Sequence, residues 1–203
     1  MSLTYSTAFS AGSLLYKEAY ALLSQVVEPL SFISGKEAPN LAVIPVNAET
    51  SKRRLGREVV KRFQSIENAE FVSLFLTEKK EEQLLILFYA ACKTYKLIAD
   101  FLLETVLRKW QHLDYEINTD DFKNFLYKKM DKSPKLENMS PKAINKISFV
   151  VIRMLNELGM LKNGKLQKQS FNPALLRRIA RNGDAWFLQA ILLSEAEINQ
   201  IIS

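Results

Sequence analysis

Cations recur at helical spacing in two stretches of the sequence, and side chains of this kind can bind phosphate groups. The first stretch is a predicted helix that carries a row of four: Arg53, Arg54, Arg57 and Lys61. They fall within about 100° of one another when each residue advances about 100° around the helix axis. Carboxylates nearby are sparse, so the row suits a phosphate backbone better than stabilisation of its own helix. A solvated helix face is the alternative interpretation.

The second stretch combines three cations with one amide and one aromatic ring on a common helical face, within about 100°. Its members are Lys142, Asn145, Lys146, Phe149 and Arg153. The cations would contact phosphates, whereas the amide of Asn145 can pair with adenine and is the only good candidate for reading a base. Lys162 and Lys165 follow it and could reach an adjacent backbone or groove.

The element that must position this second face is a helix with a clear start and a clear end. Ser140 can cap its first turn, Pro141 is acceptable at the first helical position, and Gly159 ends it. The opposite face is apolar at steps of three and four residues, through Ile144, Ile147, Val151, Leu155 and Leu158. The dipeptide Asn163-Gly164 then predicts a tight two-strand hairpin. A helix followed by a hairpin is typical of the end of a winged helix.

Charge is distributed unevenly along the 203 residues. Residues 121–183 contain 14 lysines and arginines against four acidic residues, a net charge of +10 within a chain whose total is +6. Residues 1–120 are close to neutral, at −1, and residues 184–203 carry −3. A basic block of this kind indicates a surface that binds a polyanion, although a solvated basic surface without a partner is the alternative.

Helical patterns account for most of the remaining sequence. They predict a mainly α, multi-helix globular fold with a winged-helix-like C-terminal part and at most one small β-hairpin. We expect an N-terminal helical domain over 1–115 and a basic, winged-helix-like domain over 116–203, closely packed and possibly one unit. Further predicted helices cover residues 13–27, 50–66, 77–110, 118–132, a short stretch from 172, 185–193 and 194–202. We expect Pro29 to end the first, Thr50 or Ser51 to cap the second, and Thr77-Glu78 to cap the third. The third is either continuous or broken near residues 92–95.

Signatures of catalysis and of metal binding are missing from the sequence. One cysteine, Cys92, and one histidine, His112, exclude a disulfide framework and a zinc finger, and they form a catalytic pair only if the fold brings them together with a third group. Asp120 and Asp121 are best explained by helix capping. The sequence therefore predicts a protein without enzymatic activity, cofactor or metal. Because the longest apolar run has nine residues and residues 1–9 do not resemble a signal peptide, we expect a cytoplasmic protein without a membrane span.

Taken whole, the sequence resembles the BrxA family, small helical proteins of BREX bacteriophage-exclusion islands. The residues that carry the resemblance are spread over most of the chain: Tyr5-Ser6, Gly12 to Leu15, Glu18, Asn47, Thr50, Arg53 to Leu55, Asp100-Phe101, Phe122, Phe125, Leu126, Lys146 and Leu155 to Leu161. The resemblance implies a nearly all-helical fold, no known enzymatic activity, a role in phage defence and DNA binding.

Two hypotheses follow from charge, pattern and resemblance together. In the first, the chain binds double-stranded DNA with little sequence preference, mainly through backbone phosphates. In the second, it is an adaptor whose basic face docks an acidic partner protein of the same defence complex, with Phe149 and the C-terminal Ile198, Ile201 and Ile202 as anchors. RNA is a third candidate ligand, because a basic helical surface does not distinguish between duplexes.

Overall fold

Helices dominate the computed structural model of the chain, which describes residues 5–131 and 133–203. The predicted mainly α fold class is confirmed, and the small hairpin is present. Two compact units are distinguished: residues 11–94 form one, and the segment ending at Ser10 joins residues 95–203 in the other. The predicted domain boundary between residues 115 and 116 stays a prediction. Of the helices that the described ranges form, none is long and apolar enough to cross a membrane.

The unit of residues 11–94 is built from five helices and a short 3-10 turn at Leu41–Val43. The helices are α1 (Tyr16–Leu23), α2 (Pro29–Ile33), α3 (Glu49–Gln64), α4 (Glu70–Thr77) and α5 (Lys80–Thr94). Helix α3 packs against both α1 and α5. Phe63 of α3 meets Phe75 of α4 edge to face, with 5.6 Å between ring centroids, and both rings are fully buried. Burial of such large rings supplies much of the stability of this unit.

Several predicted helix boundaries in this unit were wrong. Leu15 adopts a left-handed backbone conformation, with φ of 60°, so that α1 starts at Tyr16 and is shorter than predicted. Pro29 does not end a helix but occupies the first turn of α2, a position that suits its missing N–H. Thr77 is the last residue of α4, and its hydroxyl donates to the carbonyl of Ser73 instead of capping a new helix.

In the second unit, residues 96–111 form two α-helices joined by a π turn. Its elements are α6 (Lys96–Phe101), a π turn (Leu102–Val106), α7 (Leu107–Gln111), α8 (Thr119–Met130), α9 (Pro134–Glu137), α10 (Pro141–Leu158), β1 (Leu161–Lys162), β2 (Lys165–Leu166), α11 (Pro173–Ile179), a π turn (Ala180–Asp184), α12 (Trp186–Ala190) and α13 (Glu195–Ile202). Tyr95 has non-helical dihedral angles, which confirms the predicted alternative of a break near 92–95. The predicted end of α8 at Lys132 lies outside the described residues, and α8 itself ends at Met130.

Helix α10 packs against α8. Aromatic rings from α6 and α8 pack against one another in the core of this unit. The ring of Phe101 lies 4.9 Å from that of Phe122 and 5.5 Å from that of Phe125. The N-terminal segment closes another side of this unit, where the hydroxyl of Tyr5 donates to Asp100 at 2.7 Å. Lys96 donates to the other oxygen of the same carboxylate, also at 2.7 Å. The buried charge of Asp100 is thereby hydrogen-bonded on both oxygens, as a buried carboxylate requires.

Candidate nucleic-acid interface

The first predicted row of cations forms on the outer face of α3. We call it the arginine row, and its members, Arg53, Arg54, Arg57 and Lys61, are all exposed. Leu55, Val59 and Phe63 are buried on the inner face, as the amphipathic pattern predicted. The helix begins at Glu49, after Ala48, which has no side-chain cap, so the prediction that Thr50 or Ser51 caps it was wrong.

The two carboxylates that are closest to the arginine row in sequence bind other cations. Glu49 lies 3.0 Å from Lys52, and Glu58 lies 2.7 Å from Arg62. Among the residues that the structure describes, no carboxylate oxygen lies within 4.0 Å of the guanidinium groups of Arg53, Arg54 or Arg57. Three exposed guanidinium groups are therefore available to an external anion.

Arg62 is a cation that the sequence analysis missed, and it is structural. Its side chain is almost completely buried, and its guanidinium group donates to Glu58 and to the backbone carbonyls of Ser13 and Gly12. It thereby fastens the segment before α1 to the side of α3. The sequence does contain a signal: Arg62 lies seven residues after Leu55, on the apolar face, with Glu58 one turn earlier.

The second predicted face forms on α10, a helix whose start and end were both predicted correctly. Ser140 Oγ accepts a hydrogen bond from the backbone N–H of Ala143 at 3.2 Å, and Pro141 occupies the first turn. Gly159 ends the helix with φ of 83°, a left-handed conformation that favours glycine. All five apolar positions that were predicted to face the core are buried, and Met154 joins them.

The opposite side of α10, which we call the recognition-like face, is open to solvent. Its members Lys142, Asn145, Lys146, Phe149 and Arg153 are all exposed. Arg153 forms an ion pair with Glu157 at 2.8 Å, one turn along the helix. Within the described parts of the chain, Lys142 and Lys146 have no carboxylate within 4.0 Å. The face thus keeps two uncompensated ammonium groups in its N-terminal half, next to an exposed ring.

The predicted hairpin is present, and its turn lies at Asn163-Gly164. Leu161 pairs with Leu166 and Lys162 pairs with Lys165 across the two antiparallel strands. Both turn residues have positive φ, of 52° and 75°, as expected for the type of turn that this dipeptide favours. The leucines are buried and the lysines are exposed, so the two ammonium groups face solvent on one side of the hairpin.

A third segment, residues 115–117, supports this hairpin and was not predicted. Glu116 pairs with Lys165 in an antiparallel bridge. The N–H of Ile117 donates to the carbonyl of Gly164 at 2.9 Å, and the N–H of Leu166 donates to the carbonyl of Tyr115 at 2.7 Å. The hairpin is therefore hydrogen-bonded along its β2 edge to the chain that leads into α8.

Part of the basic block is neutralised or has a structural role. Lys168 Nζ lies 2.6 Å from Glu197, and the hydrogen bonds from Lys168 and Ser194 lower the pKa of Glu197 to about 2. Arg177 Nε donates to the backbone carbonyl of Ile201 at 2.8 Å, which ties α11 to α13. These cations are less available to an external anion than Arg53, Arg54 and Arg57.

The residues that were weighed for catalysis have structural explanations. Cys92 is buried, and burial raises the pKa of its thiol, an effect that the nearby charge of Arg62 offsets only in part. A thiol in that environment is not an activated nucleophile. Asp121 and Asn118 cap α8 reciprocally, as predicted, since Asp121 accepts from the Asn118 N–H at 2.9 Å. No group of three or more potential metal-ligating side chains occurs in the described ranges.

Residues that carry the resemblance to the BrxA family mostly stabilise the fold. Tyr5 binds Asp100, the carbonyls of Gly12 and Ser13 accept from Arg62, and Gly159 ends α10. Other residues that carry the resemblance are exposed, among them Arg53 and Arg54 in the arginine row and Lys146 on the recognition-like face.

A solved structure has the same fold. The crystal structure of an uncharacterized protein from Magnetospirillum magneticum superimposes with a TM-score of 0.77, covers 95% of this chain and 100% of its own, and is 16% identical in sequence. At that identity, the likeness concerns the fold alone.

Sequence comparison identifies the family. A curated relative from Bacillus cereus, named "BREX protein BrxA", is 23% identical over 154 residues, which make up 74% of this chain and 76% of the relative. The model of the BrxA family matches residues 3–183, nearly the whole chain. The chain therefore belongs to the BrxA family.

Proposed function

We propose that this chain is a non-enzymatic, DNA-binding component of a BREX phage-defence system that contacts duplex DNA mainly through backbone phosphates. Family membership and the name of the curated relative support the BREX assignment. The DNA-binding assignment rests on the cations themselves. Sequence-tolerant binding to a duplex is supplied largely by lysines and arginines that neutralise phosphates and release counterions.

The observation that carries the proposal is a set of exposed cations without carboxylate partners. Its members are Arg53, Arg54 and Arg57 on α3, Lys142 and Lys146 on α10, and Lys162 and Lys165 on the hairpin. Surface cations in proteins commonly pair with nearby acidic groups, and Arg153 and Lys168 do so here. Cations that remain unpaired on two helices and a hairpin are suited to an external polyanion.

The order of elements supports a winged-helix mode of binding. Helix α7, the paired segment 115–117, helix α8, the short helix α9, helix α10 and the hairpin follow one another in the chain. In such an arrangement α10 takes the place of the recognition helix in the major groove, and the hairpin lysines reach neighbouring phosphates.

A titration of binding against salt tests the proposal. The logarithm of affinity for a mixed-sequence duplex should fall linearly with the logarithm of salt concentration, with a slope of about −0.9 per phosphate neutralised. Changing Arg53, Arg54 and Arg57 to Ala together should make that slope less negative by roughly 2 to 3. Changing Lys142 and Lys146 to Ala, or Lys162 and Lys165 to Ala, tests the recognition-like face and the hairpin separately.

A charge-matched control removes three exposed cations elsewhere, at Lys17, Lys36 and Lys79. This variant should keep the slope of the unmodified protein, because local contacts and not net charge set the number of phosphates neutralised. A flat salt response of the unmodified protein, or an equal loss in the control and the arginine variant, would contradict the proposal.

The adaptor function is the second candidate, and exposed Phe149 favours it, because aromatic side chains commonly anchor protein interfaces. Of the three C-terminal isoleucines that were predicted as anchors, Ile202 is half exposed, whereas Ile198 and Ile201 are almost buried. Co-purification of other BREX proteins after nuclease treatment would support an adaptor. Loss of that association after treatment with a deoxyribonuclease would instead indicate DNA as the bridge. Loss after treatment with ribonuclease alone would indicate an RNA bridge.

A further inference from the structure

Asn145 and Phe149 lie one helical turn apart on the recognition-like face of α10, and both are exposed. We propose that these two side chains read A·T base pairs in the major groove, with the Asn145 amide on adenine and the Phe149 ring against the C5-methyl group of thymine. This inference rests on the proposed DNA-binding function and deepens it by naming the bases that the chain prefers.

The spacing of the two side chains fits neighbouring base pairs. Four residues of α-helix rise about 6 Å and turn about 40°, so the two side chains point in similar directions. Successive base pairs are about 3.4 Å apart along a strand. Asn145 and Phe149 can therefore reach base edges that are no more than about two steps apart. Asn145 lies in the N-terminal part of α10, the part of a recognition helix that contacts bases.

The amide of Asn145 is free to bind a base. It makes no hydrogen bond to any residue in the described ranges. Asn156 of the same helix differs, because its amide donates to the backbone carbonyl of Ile152 at 2.8 Å. A free asparagine amide can donate an N–H to adenine N7 while its carbonyl oxygen accepts from adenine N6.

Phe149 is exposed without contributing to the core. Its side chain is 64% exposed, whereas Ile147 and Val151 on the other side of α10 are buried. A ring in this position leaves apolar surface in water. Covering that surface with a partner would lower the free energy.

The charges around the ring indicate which partner covers it. Lys146 and Arg153 flank Phe149, at three and four residues. Arg153 is paired with Glu157, whereas Lys146 and Lys142, one turn beyond it on the same side, have no carboxylate within 4.0 Å among the described residues. The centre of a protein interface is depleted in charged residues, whereas a ring that meets thymine methyl groups in the major groove is surrounded by phosphate-binding cations. The composition of the face therefore favours a duplex over an apolar protein surface.

The test compares duplexes that differ by single chemical groups. The first duplex is alternating A·T, the second has uracil in place of every thymine and so lacks the methyl groups, and the third has 7-deazaadenine in place of adenine and so lacks N7. The unmodified protein should bind the uracil duplex roughly fourfold more weakly, the effect of one lost methyl contact. It should bind the 7-deazaadenine duplex about fivefold or more weakly.

Variants assign each preference to one side chain. Phe149→Ala should bind the thymine and uracil duplexes equally, and Asn145→Ala should bind the adenine and 7-deazaadenine duplexes equally. Neither variant should change the salt slope, because neither side chain contacts a phosphate. Tyr127→Ala, which removes another exposed ring from a helix of the same unit, is the matched control and should keep both preferences.

The outcomes separate this inference from the function on which it rests. Equal binding of all three duplexes by the unmodified protein, with a steep salt slope, would overturn base reading and leave phosphate binding intact. A flat salt response would overturn both. If Phe149→Ala weakened association with a nuclease-treated BREX protein and left the thymine preference unchanged, Phe149 would be a protein-docking residue and the inference would be overturned.

Discussion

Lys162 and Lys165 lie directly opposite each other across the two strands of the hairpin, and both are exposed. Two like charges at a directly cross-strand position destabilise a hairpin. Lys165 has the acidic Glu116 on its other side, but no ion pair within 4.0 Å forms there among the described residues. The hairpin thus retains a repulsion that a single substitution could remove.

Changing Lys162 to Glu should affect stability and DNA binding in opposite directions. The new carboxylate would face Lys165 and should raise the free energy of unfolding by roughly 0.2 to 1 kcal/mol. The same change removes one cation from the proposed DNA-binding surface and places an anion there, so affinity for a duplex should fall. Denaturant unfolding and a binding titration measure the two effects. Lys162→Gln, which removes the repulsion without adding an anion, should have stability and duplex affinity between those of the unmodified protein and Lys162→Glu. If Lys162→Glu were stabilised but bound DNA as tightly as the unmodified protein, the hairpin would have no role in DNA binding.

Arg62 and Arg57 belong to the same helix, but substitution of Arg62 should reduce stability, whereas substitution of Arg57 should reduce DNA affinity. Arg62→Ala removes a buried cation while Glu58 stays buried, and the free energy of unfolding should fall by about 3 to 5 kcal/mol. Arg57→Ala, in the exposed arginine row, should change stability by no more than about 0.5 kcal/mol while weakening DNA binding. Urea unfolding of both variants gives the comparison. A small loss for Arg62→Ala would mean that the buried ion pair contributes little to holding residues 12 and 13 against α3.

The features that local sequence determines were predicted well. Ser140, Pro141 and Gly159 define α10 because capping, the proline φ angle and the left-handed glycine act within one turn of the chain. The hairpin turn was predictable for the same reason. One boundary failed close to a distant contact: Leu15 takes a left-handed conformation next to carbonyl groups that bind Arg62, about 50 residues away.

The pairing of residues 115–117 with the hairpin and the burial of Arg62 were harder to predict from the sequence. Residues 115–117 alternate apolar and polar residues, but the stretch is too short to identify a strand, and its pairing with β2 depends on contacts about 50 residues apart in sequence. Helical periodicity placed the arginine row outside and Leu55 inside, but the burial of Arg62 depends on the backbone carbonyls that meet it. The candidate site was therefore predictable as exposed faces, whereas the contacts that rigidify it were not.

Tyr5→Phe should destabilise the unit that contains α10. Burial, followed by the hydrogen bond to Asp100 and the negative charge of that carboxylate, raises the pKa of Tyr5, which therefore stays a hydroxyl donor at ordinary pH. Its loss leaves a buried carboxylate oxygen without that donor, at a cost of about 1 to 3 kcal/mol. Thermal unfolding measures the change, and Tyr127→Phe, on an exposed ring, is the control that should have almost no effect. Equal effects of the two substitutions would contradict the structural role of Tyr5.

Glu197 should make stability depend on pH in the acidic range. Hydrogen bonds from Lys168 and Ser194 lower its pKa from 4.5 to about 2, so the folded state binds this proton less readily than the unfolded state. The resulting stabilisation is complete above pH 4.5 and is lost as pH falls towards 2. Because the pair is partly exposed, we expect about 1 kcal/mol after screening by solvent.

Comparison of the unmodified protein with Glu197→Gln measures this contribution. The difference in free energy of unfolding should be largest near pH 5 and should shrink as the pH is lowered towards 2. Glu195→Gln, in the same first turn of α13, is the control and should show no such convergence. A difference that stays constant over this range would contradict the assignment to the Lys168–Glu197 pair.

The hydrogen bond between Tyr5 and Asp100 joins residues 95 positions apart, and it has a consequence for the order in which the chain folds during synthesis. Residues 11–94 form a continuous unit, so they can fold as soon as they leave the ribosome, N-terminal parts folding first. Tyr5 must lack this hydrogen-bond partner until α6 has been made, because Asp100 does not yet exist. We expect residues 5–10 to be the last part of the N-terminal half to become ordered, and the most accessible to a protease on the nascent chain.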